Sequence, residues 1–313
     1  MLQADKQALQ SQLQTLLNES QPYTAYGQVA TYIPELGKGD PSDLSVSVTF
    51  VDGETIFAGA AHQKFTLQSI SKLFTLMLAL QDKGFEHVFS RVGMEPTGDP
   101  FNSIVKLETI KPHRPFNPMI NAGAIAVTSL IQGRDNMEKE QRILHFLQKL
   151  TGNQQITINE EVYRSELQSA DRNRALAYFM KDSGVLEGNI EDILDLYIRH
   201  CAIELTAVEI SRAASVISCN GKDIYTNEQI IPEPIARACK TFMITCGMYN
   251  ASGEFAITAG IPAKSGVSGG IMASVPHRMG IGVFGPALDD KGNSIAGVKL
   301  LEKLSQQWNL SIF

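Results

Sequence analysis

The feature that most narrows the fold is the place where the chain changes its hydrophobic period. Residues 45–51 alternate serine or threonine with valine and phenylalanine, the period-2 pattern of a half-buried strand. Asp52-Gly53 marks a hairpin turn, and residues 55–58 form the return strand. From Phe85 to about Gly247 the strand signal almost vanishes and a 3.6-residue period takes over. Helices are expected at residues 121–131, 138–150, 171–181, 189–203, 207–217 and 232–245. Strands return at 254–261, 270–275 and 280–284, and a helix over 294–308 closes the chain. Ahead of the first hairpin, residues 4–18 carry a helical stripe of Leu9, Leu13, Leu16 and Leu17. Residues 27–33 then read as a strand ended by Pro34, and residues 37–41 as a loop.

Strands at both ends and helices between them predict an α/β (α+β) fold. A mixed or antiparallel sheet is built from both chain ends and covered by helices, with an all-helical lobe inserted. One domain over residues 1–313 is expected, with a sheet lobe of about 1–84 plus 248–313 and a helical lobe of about 85–247. A site would lie in the cleft between the two.

Bulk properties exclude several classes. With 27 Lys+Arg against 33 Asp+Glu the net charge is -6, which argues against a general nucleic-acid binder. Hydrophobic content of 43% indicates a globular chain. The opening run Met1-Leu2-Gln3-Ala4-Asp5-Lys6 starts a polar amphipathic helix and has no apolar h-region. No apolar run reaches the ~18 residues of a membrane span. Cys201, Cys219, Cys239 and Cys246 form no Cys-x-x-Cys pair and read as free thiols of a reducing compartment. A cytoplasmic location is therefore expected. The six histidines show no metal-binding spacing, so neither a metal nor another cofactor is expected.

The chemistry centres on Gln68-Ser69-Ile70-Ser71-Lys72. In a helix, Ser69 and Lys72 project from the same face, while Ile70, Leu73, Phe74 and Leu76 turn to the core. A serine hydroxyl needs a base, and a lysine serves if burial or nearby positive charge keeps it neutral. A serine at a helix start also has free N–H groups beside it, suited to an oxyanion. A second Ser-x-x-Lys, Ser103 to Lys106, shows that the tetrapeptide also arises by accident. Its alternative reading at Ser69 is a helix-terminal serine with a solvated lysine. The companion is Lys264-Ser265-Gly266, the Lys-Ser/Thr-Gly triplet that accompanies Ser-x-x-Lys in acyl-transfer enzymes of the penicillin-recognising type. Residues 260–270 are glycine-rich, and read either as a tight turn between strands or as a close backbone approach to substrate with Val267 N–H as oxyanion donor. Lys264 is expected beside the Ser69–Lys72 pair, where its charge would depress the Lys72 pKa. Asn121 reads as a helix cap or as a site residue, and the stretch from Glu166 to Asn173 as a helix surface capped by Ser169 or Asp171, a reading that fits Glu166 less well. Tyr32, Tyr197 and Tyr249 read as core residues or as site residues.

Taken together, Tyr32-Ile33-Pro34-Glu35-Leu36, Gln68 through Lys72, Lys111 through Pro118 with Asn121 through Ile125, Ser165-Glu166 through Asn173, Cys246 through Tyr249 and Pro262 through Val267 resemble the glutaminase family of serine-dependent amidohydrolases. The resemblance is to its bacterial type without ankyrin repeats. It implies a β-lactamase/transpeptidase-like fold and hydrolysis of L-glutamine to L-glutamate and ammonia through an acyl-enzyme. By that resemblance Ser69 is the nucleophile, Lys72 its base and Tyr249 a proton relay, with Tyr32 lining the site. Ser69 and Val267 N–H groups form the oxyanion hole, and Glu166, Asn121, Asn173 and Tyr197 clamp the amino-acid end. A homotetramer is implied too. Asn250 stands where the family often has aspartate. Two rival readings share these features. One is a penicillin-binding protein or β-lactamase, for which Ser218-Cys219-Asn220 supplies Ser-x-Asn by spelling. The other is a non-catalytic amino-acid sensor on the same scaffold.

Overall fold

The structure, a computed structural model, describes residues 3–313. The expected opening of the first helix at Met1 and Leu2 lies outside the described residues. Five strands form one antiparallel sheet in the order β2-β1-β7-β6-β5. They are β1 (Ser45–Phe50), β2 (Thr55–Gly59), β5 (Ala263–Ser265), β6 (Gly270–Val275) and β7 (Met279–Phe284). A two-residue ribbon pairs β3 (Phe65–Thr66) with β4 (Glu204–Leu205). The β1–β7 pairing joins the two ends of the chain, as the placement of the strand signals requires.

The helices are α1 (Gln3–Ser20), α2 (Ser71–Arg91), α3 (Val105–Thr109), α4 (Asn121–Ser129), α5 (Asn136–Thr151), α6 (Glu160–Gln168), α7 (Asp171–Asp182), α8 (Ile190–Cys201), α9 (Ala207–Ser218), α10 (Glu233–Cys246), α11 (Ser252–Thr258) and α12 (Ile295–Trp308). On one sheet face Val46, Val48, Ile281 and Val283 meet Leu13, Leu17, Leu300 and Leu304 of α1 and α12 in one apolar cluster.

The other face explains why β1 is not half-buried. All six of its residues are buried. Register sets Ser47 opposite Gly282 and Thr49 opposite Gly280, and both pairs face α9. A Cβ on Gly280 or Gly282 would fall 2.1 Å from the carbonyl oxygen of Ser211 or Ala207. The glycines thus let α9 lie directly on β7. Ser211 Oγ then meets Ser47 Oγ at 2.9 Å and Thr49 Oγ1 at 2.8 Å, which satisfies these two polar residues of the strand.

Two expected strands are absent. Residues 27–33 pair only at Gln28, which exchanges backbone hydrogen bonds with Leu288; the rest runs unpaired along the cleft rim. Residues 254–261 instead begin in helix α11. Phe255 is buried while Ile257 is 88% exposed, so their apolar spacing marks no sheet face. Gly260, at φ 66, closes that helix with its N–H on the Phe255 carbonyl.

The glycine contact with α9 yields a paired prediction. Gly282→Ala should lower stability by about 1–3 kcal/mol through overpacking. Gly253→Ala on α11, where an added Cβ meets nothing within 4 Å, should be neutral or gain up to about 1 kcal/mol. Urea unfolding of the two variants measures this, and equal midpoints would contradict it.

Candidate active site

Ser69 sits one turn earlier than a helix start, in a 3-10 turn over Gln68–Ile70 that leads into α2. Gln68, the residue before it, takes the left-handed conformation at φ 46. Non-glycine residues hold that conformation at a cost of about 1–3 kcal/mol, and where they do so it is commonly at a functional site. Ile70, Leu73, Phe74 and Leu76 are at most 1% exposed and anchor the turn in the core. The turn after β5 comes close to it: a Cβ on Gly266 would fall 2.6 Å from Leu67 O and 3.5 Å from Ser69 N. Val267 follows, 4% exposed. The N–H groups of Ser69 and Val267 donate to no other group among the described residues. Two free donors from adjoining turns are what a developing oxyanion requires.

Lys72 is wholly buried. Its Nζ donates to Met119 O at 3.2 Å and Asn121 Oδ1 at 2.6 Å, and lies 5.9 Å from the centre of the Phe101 ring. Burial lowers its pKa to about 8, against the opposing pull of Cys201 and Glu166. A neutral amine has two protons, and these two acceptors use both. The lone pair is what remains to take a proton. Asn121 is the first residue of α4, yet its side chain caps nothing. Its oxygen faces Lys72 and its nitrogen donates to Asn173 Oδ1 at 2.9 Å. The amide protons of Asn173 are thereby left for another acceptor.

Tyr249 also has a left-handed backbone, at φ 51. Its hydroxyl is buried with no hydrogen-bond partner. Burial raises the phenol pKa and the neighbouring Ser69 side chain works against the rise, so the group stays protonated. Phe101 lies 5.1 Å away, ring centre to ring centre. Lys264, on β5 rather than in a turn, is fully buried, with Nζ 4.6 Å from the centre of the Tyr249 ring and 3.2 Å from Gly247 O. The expected effect of Lys264 on Lys72 runs the other way. Burial and then the Lys72 charge push the Lys264 pKa well down. Lys264 is absent from the groups that set the Lys72 pKa.

Glu166, 7% exposed on α6, accepts from Gln68 Nε2 at 3.4 Å. Burial raises its pKa to about 7, while the Gln68 hydrogen bond and Lys72 lower it. Asn173 on α7 and Tyr197 on α8 are both buried. Neither Ser169 nor Asp171 caps α7, whose cap position is Ala170. Tyr32 is 54% exposed as a whole. The pKa of its phenol is raised, by the protein packed around it first and by Tyr249 and Glu166 after that. A cleft of about 580 Å³ opens over Tyr32, Phe101 and Val267.

The decoy motifs go elsewhere. Ser103 Oγ accepts from Val105 N, and Lys106 pairs with Asp99. Ser218 Oγ donates to Val275 O, and Asn220, at φ 54, accepts from Lys240 in the turn before Gly221. Phe101, Gln68 and the Met119 carbonyl escaped the sequence reading; only Gln68, inside the quoted motif, had a signal to follow. Asn250 Nδ2 donates to Gly98 O at 3.1 Å, a bond that an aspartate could not make. Among the described residues no group of three or more His, Cys, Asp or Glu side chains could hold a metal ion, and no helix is long and apolar enough to cross a membrane.

The antiparallel sheet with its covering helices defines the class as the β-lactamase-like fold. The family follows from comparison with known proteins. A family model described as Glutaminase matches residues 27–313. The chain is 55% identical over 302 residues to the glutaminase of Geobacillus thermodenitrificans, spanning 96% of this chain and 98% of that one. It is 56% identical over 301 residues to the glutaminase of Bacillus cereus, spanning 96% and 97%. A crystal structure of a Bacillus glutaminase in 4.3 M NaCl matches with a TM-score of 0.90 at 43% identity, over 96% of this chain and 99% of that one. A Bacillus subtilis glutaminase in covalent complex with 5-oxo-L-norleucine, formed by reaction with 6-diazo-5-oxo-L-norleucine, matches at 0.87 and 42%, over 96% and 99%. This chain belongs to the glutaminase family.

The two shifted groups predict a pH profile. With Lys72 as base and Glu166 as ammonium holder, the roles that the resemblance implies, both groups must be unprotonated, so kcat/KM should fall as pH drops through about 8 (Lys72) and again through about 7 (Glu166). Glu166→Gln should remove the lower step. It should also move the Lys72 step down, because the carboxylate holds that pKa up. Lys264→Met should lower the rate and leave the Lys72 step in place. An upward displacement in Lys264→Met would restore Lys264 as the group that depresses Lys72.

Proposed function

We propose that this chain hydrolyses L-glutamine to L-glutamate and ammonia through an acyl-enzyme on Ser69. Lys72 takes the Ser69 proton as Oγ attacks the side-chain carbonyl carbon. The Ser69 and Val267 N–H groups receive the oxyanion. As the C–N bond breaks, the proton passes from Lys72 by way of Tyr249 to the departing nitrogen, which leaves as ammonia. Water then opens the ester by the same route, with Lys72 again the base. Tyr249 acts as donor and relay rather than as first base, because burial keeps its phenol protonated. Glu166 holds the α-ammonium. Asn121, Asn173, Tyr197 and Tyr32 surround the α-carboxylate with amide and phenol donors.

The observation that carries this reading is the buried Lys72 amine with both protons engaged. The covalent complex of the Bacillus subtilis relative supports it. In 5-oxo-L-norleucine a carbon replaces the amide nitrogen of glutamine and the rest of the skeleton is the same. We also infer a cytoplasmic homotetramer working as a single catalytic domain. The four free thiols favour a reducing compartment, and the tetramer rests on the family resemblance.

Direct ammonia release from glutamine is the first test. Ser69→Ala should lose turnover and keep its fold, while Ser103→Ala stays near wild type. Lys72→Arg should be nearly dead, because a guanidinium cannot accept a proton. Equal loss in the two serine variants, or an active Lys72→Arg enzyme, would remove the basis for these roles.

Specificity has its own test. A charge-assisted bond to an ammonium is worth ~1.5–3 kcal/mol, so Glu166→Gln should weaken glutamine binding roughly ten- to a hundred-fold. N-acetylglutamine should be a poor substrate of the wild type. Equal turnover of the two substrates would show that Glu166 is misassigned.

A further inference from the structure

His200 lies on α8, 1% exposed, behind the residues that line the cleft. Its ring nitrogens reach two separate parts of the site. Nδ1 is 2.8 Å from Ser71 Oγ, and Nε2 is 3.0 Å from Thr128 Oγ1. Ser71 stands between Ser69 and Lys72 in the chain, and its hydroxyl donates to Gln68 O at 2.7 Å. Gln68 is the left-handed residue that precedes Ser69. Thr128 is on α4, the helix whose first residue, Asn121, accepts from Lys72.

Proton counting orders this row. A hydroxyl has one proton to give. With that of Ser71 on Gln68 O, His200 Nδ1 must carry the ring proton and donate it to Ser71 Oγ. Nε2 is then bare and accepts from the Thr128 hydroxyl, which turns to the ring from its other acceptor within reach, Ala124 O at 2.8 Å. The row runs in one direction with a neutral imidazole, and burial together with the Lys72 charge holds the ring neutral. A left-handed non-glycine residue persists only where its surroundings over-determine it.

We propose that His200 is a positioning residue: the row Thr128–His200–Ser71 adds a side-chain hold on the Gln68 carbonyl to that of the Ser71 backbone N–H, and so fixes the backbone that aims the Ser69 hydroxyl and N–H into the cleft. The inference rests on Ser69 as nucleophile. Freed of the row, the turn relaxes and both groups move together. Ground-state binding changes little, because the clamp on the amino-acid end is carried by other side chains, to which this turn adds only the 3.4 Å contact of Gln68 Nε2 with Glu166.

The test compares His200→Leu, His200→Gln and Ser71→Ala, with active sites counted by mass after long exposure to 6-diazo-5-oxo-L-norleucine. Per titrated site, His200→Leu should lose about ten- to a hundred-fold in kcat, with KM for glutamine within about threefold of wild type. His200→Gln should recover most of the rate, since an amide offers a donor and an acceptor in place of the ring nitrogens. Ser71→Ala, a much smaller change, should show the same kcat loss even if His200→Leu folds poorly. Wild-type kcat per site in His200→Leu or Ser71→Ala would overturn the proposal. So would equal slowness of the Leu and Gln variants, or a loss confined to KM. Ser69→Ala is run beside them. Residual turnover there would strike the nucleophile assignment itself, separately from the His200 result.

Discussion

An amine taken out of water is the constraint on which the rest of this site depends. Lys72 has no exposed surface and two fixed carbonyl acceptors. Ammonium is the form that burial disfavours, and burial is what brings the pKa down to about 8. The acceptors do a second job, since they orient the lone pair by occupying the protons. Phe101 closes the site over the amine from the cleft side. Cys201 and then Glu166 limit the effect, because both pull the Lys72 pKa back up. Base strength and substrate binding are therefore linked through one carboxylate. A substrate ammonium that neutralises Glu166 would weaken its hold on the Lys72 proton as it binds.

The fold supplies the parts from distant stretches of chain. The Ser69 turn follows β3, the turn proposed to receive the oxyanion follows β5, and the proposed clamp residues Asn121, Glu166, Asn173 and Tyr197 come from α4, α6, α7 and α8. Two left-handed residues, Gln68 and Tyr249, set the backbone at either side of the reacting atoms. Each is held by a side-chain hydroxyl three residues on that bonds to its backbone carbonyl. Ser71 Oγ donates to Gln68 O, and Ser252 Oγ donates to Tyr249 O. The direct seating of α9 on β7 stiffens the helix–sheet contact, since Gly280 and Gly282 leave no side-chain layer to repack there.

Much of this architecture is legible in the sequence because it follows from periodicity. β1, β2, β6 and β7 and the longer helices announce themselves by period 2 or 3.6. The failures are informative. The Ser/Thr positions of β1 look solvent-facing, yet a helix covers them; only the paired glycines of β7, more than 200 residues later, reveal it. Residues 254–261 fail because Phe255 and Ile257 imitate strand alternation while their helix buries just one of them. The site motifs were legible through Ser69, Lys72 and Lys264, whose spacing has chemical meaning. Phe101 and His200 belong to no such spacing. Their importance comes from which elements pack together, and that is a property of the folded chain.

Direct titration of Lys72 tests the central claim most sharply. Carbon NMR of lysine-labelled Ser69→Ala protein, with the Lys72 signal assigned by its absence in a Lys72→Arg background, reports the protonation of that one amine without any turnover. The account predicts a midpoint at about pH 8. A midpoint at the ordinary lysine value of 10.5 would mean that the buried amine stays charged, and Lys72 could not be the base.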